Sequence, residues 1–263
     1  MPAPHIFIAT HHKSGTVWMI TTFRRIAKAN GLEFVHLNTG ESGWDIRPDK
    51  LEYFEQQRAF AESKSDLPAI FVDYHSAIPD LTNCKASRGA AGIHIIRDPR
   101  DMLLSAVRYH LVSDEPWLHQ PSKSFAGQTY QQKLIAISNL EDQVQFEIDN
   151  HMGQAILEMH AFDDQEIFKA VKYEDMIVDR NMTLFHEILI HLGFHGRETI
   201  RGLNAFWESS IFGDRSEHDK QTAAGHVFDS SPAQWKSGLS RSCLDRIESQ
   251  LGSAIENLGY PIA

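Results

Sequence analysis

The chain predicts an α/β fold of three layers, a mostly parallel central sheet flanked by helices, and three features point to it. Short apolar segments at 5–10, 33–37, 68–74, 92–97 and 167–173 alternate with helical patterns, as parallel strands joined by crossover helices do. The first of them, His5-Ile6-Phe7-Ile8-Ala9-Thr10, runs through His11 and His12 into a Lys13-Ser14-Gly15-Thr16 turn that opens a helix. The fourth ends at Arg97-Asp98-Pro99, an arginine followed by a good N-cap residue and a proline suited to the first helical position.

The elements follow in order. The helix after the first turn is expected to place Val17, Ile20, Phe23 and Ala27 on one face, with Arg24, Arg25 and Lys28 toward its C-terminus and Gly31 as its stop. A second amphipathic helix is predicted at about 182–192, through Met182, Phe185, Leu189 and Leu192 to Gly193. A last one runs through Leu244, Ile247, Leu251, Ile255 and Leu258 to Gly259. The polar stretches 38–50, 111–128 and 213–234 read as loops, long enough for functional lids. No repeat or linker divides the 263 residues, so a single domain over 1–263 is expected.

The first turn is built to bind an anion. A helix N-terminus presents unpaired N–H groups and the positive end of the macrodipole, and Lys13 adds a full charge. Ser14, Gly15 and Thr16 are small enough for an oxyanion to approach the backbone. A nucleoside triphosphatase loop would need Gly-x-x-x-x-Gly-Lys-Ser/Thr, whereas here the lysine precedes the glycine and Phe7 holds the first glycine position. In a parallel sheet, ligands gather at the carboxyl ends of strands, where Arg97 also falls. Its planar guanidinium can grip a phosphate with two hydrogen bonds. Ser105 lies on the same face of the following helix, seven residues and about 10 Å beyond Asp98.

Lys13-Ser14-Gly15-Thr16-Val17-Trp18 resembles the 5′-phosphosulfate loop of sulfotransferases, Pro-Lys-Ser-Gly-Thr-Thr-Trp, with His12 and Val17 in place of the proline and the second threonine. Ile95-Ile96-Arg97 through Ser105 resembles the family's 3′-phosphate segment, an arginine at a strand end with a serine eight residues later. Val171-Lys172-Tyr173-Glu174-Asp175-Met176, followed by Leu192-Gly193, looks like a third family segment. The resemblance implies a P-loop-like fold and 3′-phosphoadenosine 5′-phosphosulfate (PAPS) as co-substrate, with 3′-phosphoadenosine 5′-phosphate (PAP) as product. It also implies Tyr173 beside the adenine, with Trp18 and Phe206 completing an aromatic pocket.

The same resemblance assigns Lys13 to the leaving-group oxygen and a histidine to the acceptor proton, a task an imidazole suits near neutral pH. His75, at the end of Ile70-Phe71-Val72-Asp73-Tyr74-His75, is similar to the family's Lys-Thr-His-Leu-Pro base, although Asp73 stands where many members have lysine. His11 and His12 border the donor loop and remain alternatives. The family's Arg-Lys-Gly contact to the 3′-phosphate is missing before Trp235-Lys236, leaving Arg215, Lys220 or Lys236 as substitutes.

Composition narrows the partners. At 42% hydrophobic and 23% charged, with no apolar run of membrane-spanning length, the chain reads as a soluble globular protein. It enters its first strand without a signal-like segment, which predicts a cytoplasmic location and favours a small-molecule acceptor. A formal charge of −10 excludes a broad nucleic-acid surface. Cys84 and Cys243 have no metal or disulfide spacing, and His11-His12 diverge on leaving a strand, so no metal is expected. Two alternatives stay open: a nucleoside-phosphate kinase of related fold, and a nucleotide-binding module without catalysis.

Overall fold

The computed structural model describes residues 5–37, 68–73, 89–162, 167–213 and 231–263. Its strands are β1 (His5–Ala9), β2 (Glu33–Leu37), β3 (Ala69–Asp73), β4 (Ala91–Ile96) and β5 (Phe168–Lys172), within a residue or two of the expected spans. They form one sheet in the order β2-β3-β1-β4-β5, and every pairing is parallel. Ala9 is level with both Asp73 and His94, so the segments that follow β1, β3 and β4 emerge along a common edge.

Side chains alternate across β1 as the pleat requires. Ile6 and Ile8 enter a core shared with α1 (Thr16–Asn30), α7 (Thr183–His191) and α8 (Arg197–Ser209), whereas Phe7 and Ala9 meet Phe71, Phe162 and Phe168. The buried stripe of α1 is Met19, Phe23, Ile26 and Ala27; Val17 and Ile20, expected on that face, are only half-buried. The helix is turned by its packing against α8, where Thr22 and Ser209 hydroxyls lie 2.6 Å apart in the core. Helix α7 matches its prediction, burying Phe185, Ile188 and Leu189.

A second core gathers Ile96, at the end of β4, with α2 (Pro99–His110), α4 (Leu140–Asn150), α5 (Met152–His160), α9 (Trp235–Gly238) and α10 (Arg241–Asn257). Asp98 caps α2 by accepting from the Arg100 N–H, with Pro99 at the first helical position as expected, a cap worth about 1 kcal/mol. Helix α10 begins before the predicted stripe because the Ser240 hydroxyl accepts from the Cys243 N–H. The stretch 111–128, expected as a plain loop, contains 3-10 turns at Pro116–His119 and Lys123–Phe125. It leads into α3 (Tyr130–Ala136) and packs Leu118 against Tyr130 and Leu134. The remaining short helix, α6 (Tyr173–Ile177), follows β5 directly. Among the described residues no helix is long and apolar enough to cross a membrane.

Candidate functional site at the carboxyl ends of β1 and β4

The β1–α1 turn is braced from within. The His11 carbonyl accepts from the Ser14 N–H at 3.0 Å, the Ser14 hydroxyl at 3.0 Å and the Thr16 hydroxyl at 3.0 Å. Ser14 Oγ in turn accepts from the His11 N–H, and Thr10 donates to the Asp73 carbonyl on β3. The Ser14 hydroxyl is thus taken up inside the turn, so its service to an anion is limited to small size. Lys13 adopts a left-handed backbone (φ 66°), a conformation costing a non-glycine residue about 1–2 kcal/mol. Gly15 is left-handed as well (φ 109°), and a Cβ there would stand 2.9 Å from the Tyr173 ring. Among the described residues no side chain caps α1, so its first N–H groups have no side-chain acceptor there.

Lys13 Nζ lies 3.7 Å from the centre of the Tyr109 ring on α2. Burial lowers its pKa to about 7, helped by the nearby Arg97 cation and opposed by Glu115 and Glu147. An anion bound at this turn would restore the ammonium.

Arg97 is buried, and its Nη1 donates to the Lys13 carbonyl at 2.8 Å while its guanidinium sits 4.5 Å over the Tyr173 ring. Asp101, the obvious ion-pair partner in sequence, instead accepts from the Ala233 and Trp235 N–H groups. Arg100 is the residue that pairs with Asp98, at 2.8 Å, beneath Trp235. Glu174 accepts from the Asp98 N–H and the Tyr260 hydroxyl, and burial raises its pKa despite those bonds. Ser105 is half-buried on α2.

Trp18 stands edge-on to Tyr173 and stacks on Phe206 at 5.3 Å. Phe206 is fully buried, sandwiched against Phe185 at 3.9 Å, so it backs the tryptophan from the core. Two buried donors at this place, Trp18 Nε1 and Arg97 Nε, have no hydrogen-bond partner among the described residues. Lys236 is exposed and follows the buried Trp235 at the start of α9, a helix that packs on α2. His75, Arg215 and Lys220 lie outside the described residues.

The two histidines of the turn diverge as expected. His11 is buried and meets His94 of β4, Nε2 to Nε2 at 2.8 Å, with His94 stacked on Phe162. His12 is half-buried and meets His110 at the end of α2, Nε2 to Nε2 at 2.9 Å. His110 Nδ1 is 2.7 Å from the fully buried Glu147 carboxylate of α4. Sequence reading passed over His110, Glu147 and His151. The available signal was two polar residues, Glu147 and His151, three and seven positions beyond Val144 and in line with its apolar face.

The profile of the sulfotransferase domain matches residues 3–193. The chain belongs to the sulfotransferase domain family. No curated protein matches it significantly. Among solved structures, this sulfotransferase is similar to mouse sulfotransferase SULT7A1 complexed with PAP. The identity is 15% and the TM-score 0.61, over 96% of this chain and 84% of that one. It is also similar to a retinol dehydratase in complex with retinol and PAP, at 12% identity and TM-score 0.58, over 99% and 84%. At such identities these likenesses establish a shared fold, in agreement with the parallel sheet described above.

Proposed function

We propose that this sulfotransferase moves a sulfuryl group from PAPS to a hydroxyl or amine of a small-molecule acceptor. One observation carries the reading: at a single sheet edge, an uncapped helix N-terminus and Lys13 lie next to Arg97, whose guanidinium touches the same turn. An anion on the turn and a second phosphate at Arg97 and Ser105 would suit the two ends of a 3′,5′-bisphosphorylated nucleotide. The partnerless Trp18 Nε1 and Arg97 Nε offer donors to such a ligand, and Tyr173 and Trp18 offer ring faces to its base. Both similar structures are of complexes with PAP.

In this reading the N–H groups of Gly15, Thr16, Val17 and Trp18 hold the 5′-phosphate. Lys13 meets the negative charge that grows on the bridging oxygen as the S–O bond breaks. A histidine takes the acceptor proton; the family pattern offers His75, and His11 and His12 border the turn. Lys236 is the described candidate for the missing Arg-Lys-Gly contact. No metal is assigned a part.

Incubation of labelled PAPS with a panel of phenols, alcohols, amines and sugars, followed by product identification, tests the reading and names the acceptor. Transfer to any member supports it. Magnesium-dependent transfer from ATP would instead identify a kinase, and tight PAP binding without turnover across the panel a binding module.

A further inference from the structure

Given sulfuryl transfer at this site, we propose that His12 is the general base and that His110 and Glu147 are positioning residues that fix its tautomer and draw its proton inward. The proposal rests on a continuous chain of contacts from the donor turn into the protein. Glu147 is wholly buried, with Oε1 at 2.7 Å from His110 Nδ1 and Oε2 accepting from the Tyr130 hydroxyl at 2.9 Å. Burial and the carboxylate keep that phenol protonated, so it acts only as a donor. Between a carboxylate and an imidazole nitrogen the proton belongs to the more basic imidazole. His110 in its neutral form therefore carries Nδ1–H and turns the lone pair of Nε2 outward.

That lone pair faces His12. The Nε2 atoms are 2.9 Å apart, the ring centroids 5.0 Å and the planes 17° apart, so the rings meet end-on in nearly one plane. A proton must lie between the nitrogens, and with His110 the acceptor it sits on His12 Nε2. The basic lone pair of His12 is then Nδ1. The same distance argues against a shared metal ion, although His12, His110 and His151 place ligand atoms within 4.8 Å of one another. Two nitrogens on a tetrahedral zinc at about 2.05 Å would stand roughly 3.3 Å apart.

The step balances. The acceptor oxygen forms the new O–S bond and loses its proton to His12 Nδ1, while the S–O bond to PAP breaks and its electron pair stays on the phosphate oxygen beside Lys13. The proton already on His12 Nε2 shifts to His110 Nε2, so the positive charge comes to rest against Glu147. Lys13 makes this useful. Its Nζ and the His12 ring share the Tyr109 ring, at 3.7 and 6.1 Å from its centre, and a second cation held on His12 would be repelled. Among the described residues the other groups facing the relay are His151, with ring centres 4.9 Å from His12 and 5.3 Å from His110, Trp117 at 5.1 Å from His110, and Glu115. Glu115 accepts from the Tyr109 hydroxyl and Trp117 Nε1.

The test pairs an activity with a direct reading of the protons. In the wild-type protein, imidazole 15N shifts are expected to show His110 as the Nδ1–H tautomer and His12 as the Nε2–H tautomer; the opposite pair overturns the proposal whatever the acceptor. With an alcohol returned by the labelled-donor panel, His12→Gln is expected to lower kcat about 100-fold, the ordinary weight of general base catalysis, with PAP affinity unchanged. An acidic phenol, which ionises unaided, is expected to lose far less. Glu147→Gln keeps the shape but removes the charge, so the acid limb of the kcat profile should move down by roughly one pH unit. Full activity of His12→Gln toward the alcohol, or the acceptor-dependent loss appearing in His75→Ala alone, overturns the assignment. So does stoichiometric zinc whose removal by a chelator abolishes turnover. Failure of the sulfuryl-transfer reading shows differently, as a wild-type protein that neither binds PAP in calorimetry nor turns over.

Discussion

His11–His94 and His12–His110 begin from the same contact: adjacent residues of one turn each reach a second histidine through Nε2, at 2.8 and 2.9 Å. Among the described residues they differ in what stands behind the second ring. His94 is stacked on Phe162 at 4.0 Å inside an apolar cluster, whereas His110 is backed by the Glu147 carboxylate. The first pair satisfies buried polar atoms and locks the end of β1 to β4. The second has somewhere to send a proton. Adjacent imidazoles with the same Nε2–Nε2 contact, their ring planes 71° apart in the first pair and 17° in the second, thus acquire separate roles, a structural tie in one case and a proton path in the other.

The largest expected effect concerns the residue beside both pairs. Lys13→Ala should lower turnover by about 10²–10³-fold while changing PAP affinity far less, because its charge matters most once the leaving oxygen is negative. Steady-state kinetics with calorimetry reads both numbers, and an unchanged turnover would remove the turn from the chemistry. Next, His110→Phe and His94→Phe separate the pairs directly. The first is expected to depress kcat about 100-fold, and the second to lower stability by about 1–3 kcal/mol, through loss of the buried His11 Nε2 contact, while leaving kcat nearly intact. Equal kinetic defects would erase the distinction.

How much of this was legible beforehand follows the same division. Strand spans, the Asp98 cap and the Gly31 stop depend on neighbours in sequence, and they were found where periodicity and capping placed them. So were Arg97 at a strand end and Ser105 two turns along its helix. Helices α3, α4 and α5 escaped because they are short and set Glu147 and His151 at positions a core pattern reserves for apolar residues. The His110–Glu147 contact joins residues 37 apart, and no local rule foretells which buried base meets which buried acid. Phe206 shows the converse: its helix was not read from the sequence and the resemblance alone grouped it with Trp18, whereas the packing puts its ring fully buried behind the indole.

A smaller effect sharpens the nucleotide side. Arg97→Ala and Ser105→Ala should weaken PAP roughly tenfold or more while barely changing adenosine 5′-phosphosulfate, which lacks a 3′-phosphate. Equal losses for the two ligands would mean that Arg97 serves the Lys13 carbonyl alone. The smallest effect is a proton count. The Lys13 pKa is lowered to about 7 in the free protein, and an anion on the turn favours the charged form, so the complex has the higher pKa. Between those values the complex holds more protons than the free protein, and affinity falls as pH rises. Calorimetry of PAP at pH 8 in buffers of different ionisation heat should show proton uptake, absent in Lys13→Met.

Arg97 reaches the Lys13 carbonyl across 84 residues of chain, and that carbonyl belongs to a peptide already held in a left-handed conformation. A ligand that engages this guanidinium therefore acts on the strained peptide as well, and the turn in its turn sets where the guanidinium can go. The two ends of the donor would be recognised by one mechanical unit, so their contributions to affinity should be cooperative. A double-mutant cycle of Lys13→Met with Arg97→Ala, read through PAP binding, is expected to show a clear coupling energy; strict additivity would mean that the arginine merely braces the turn.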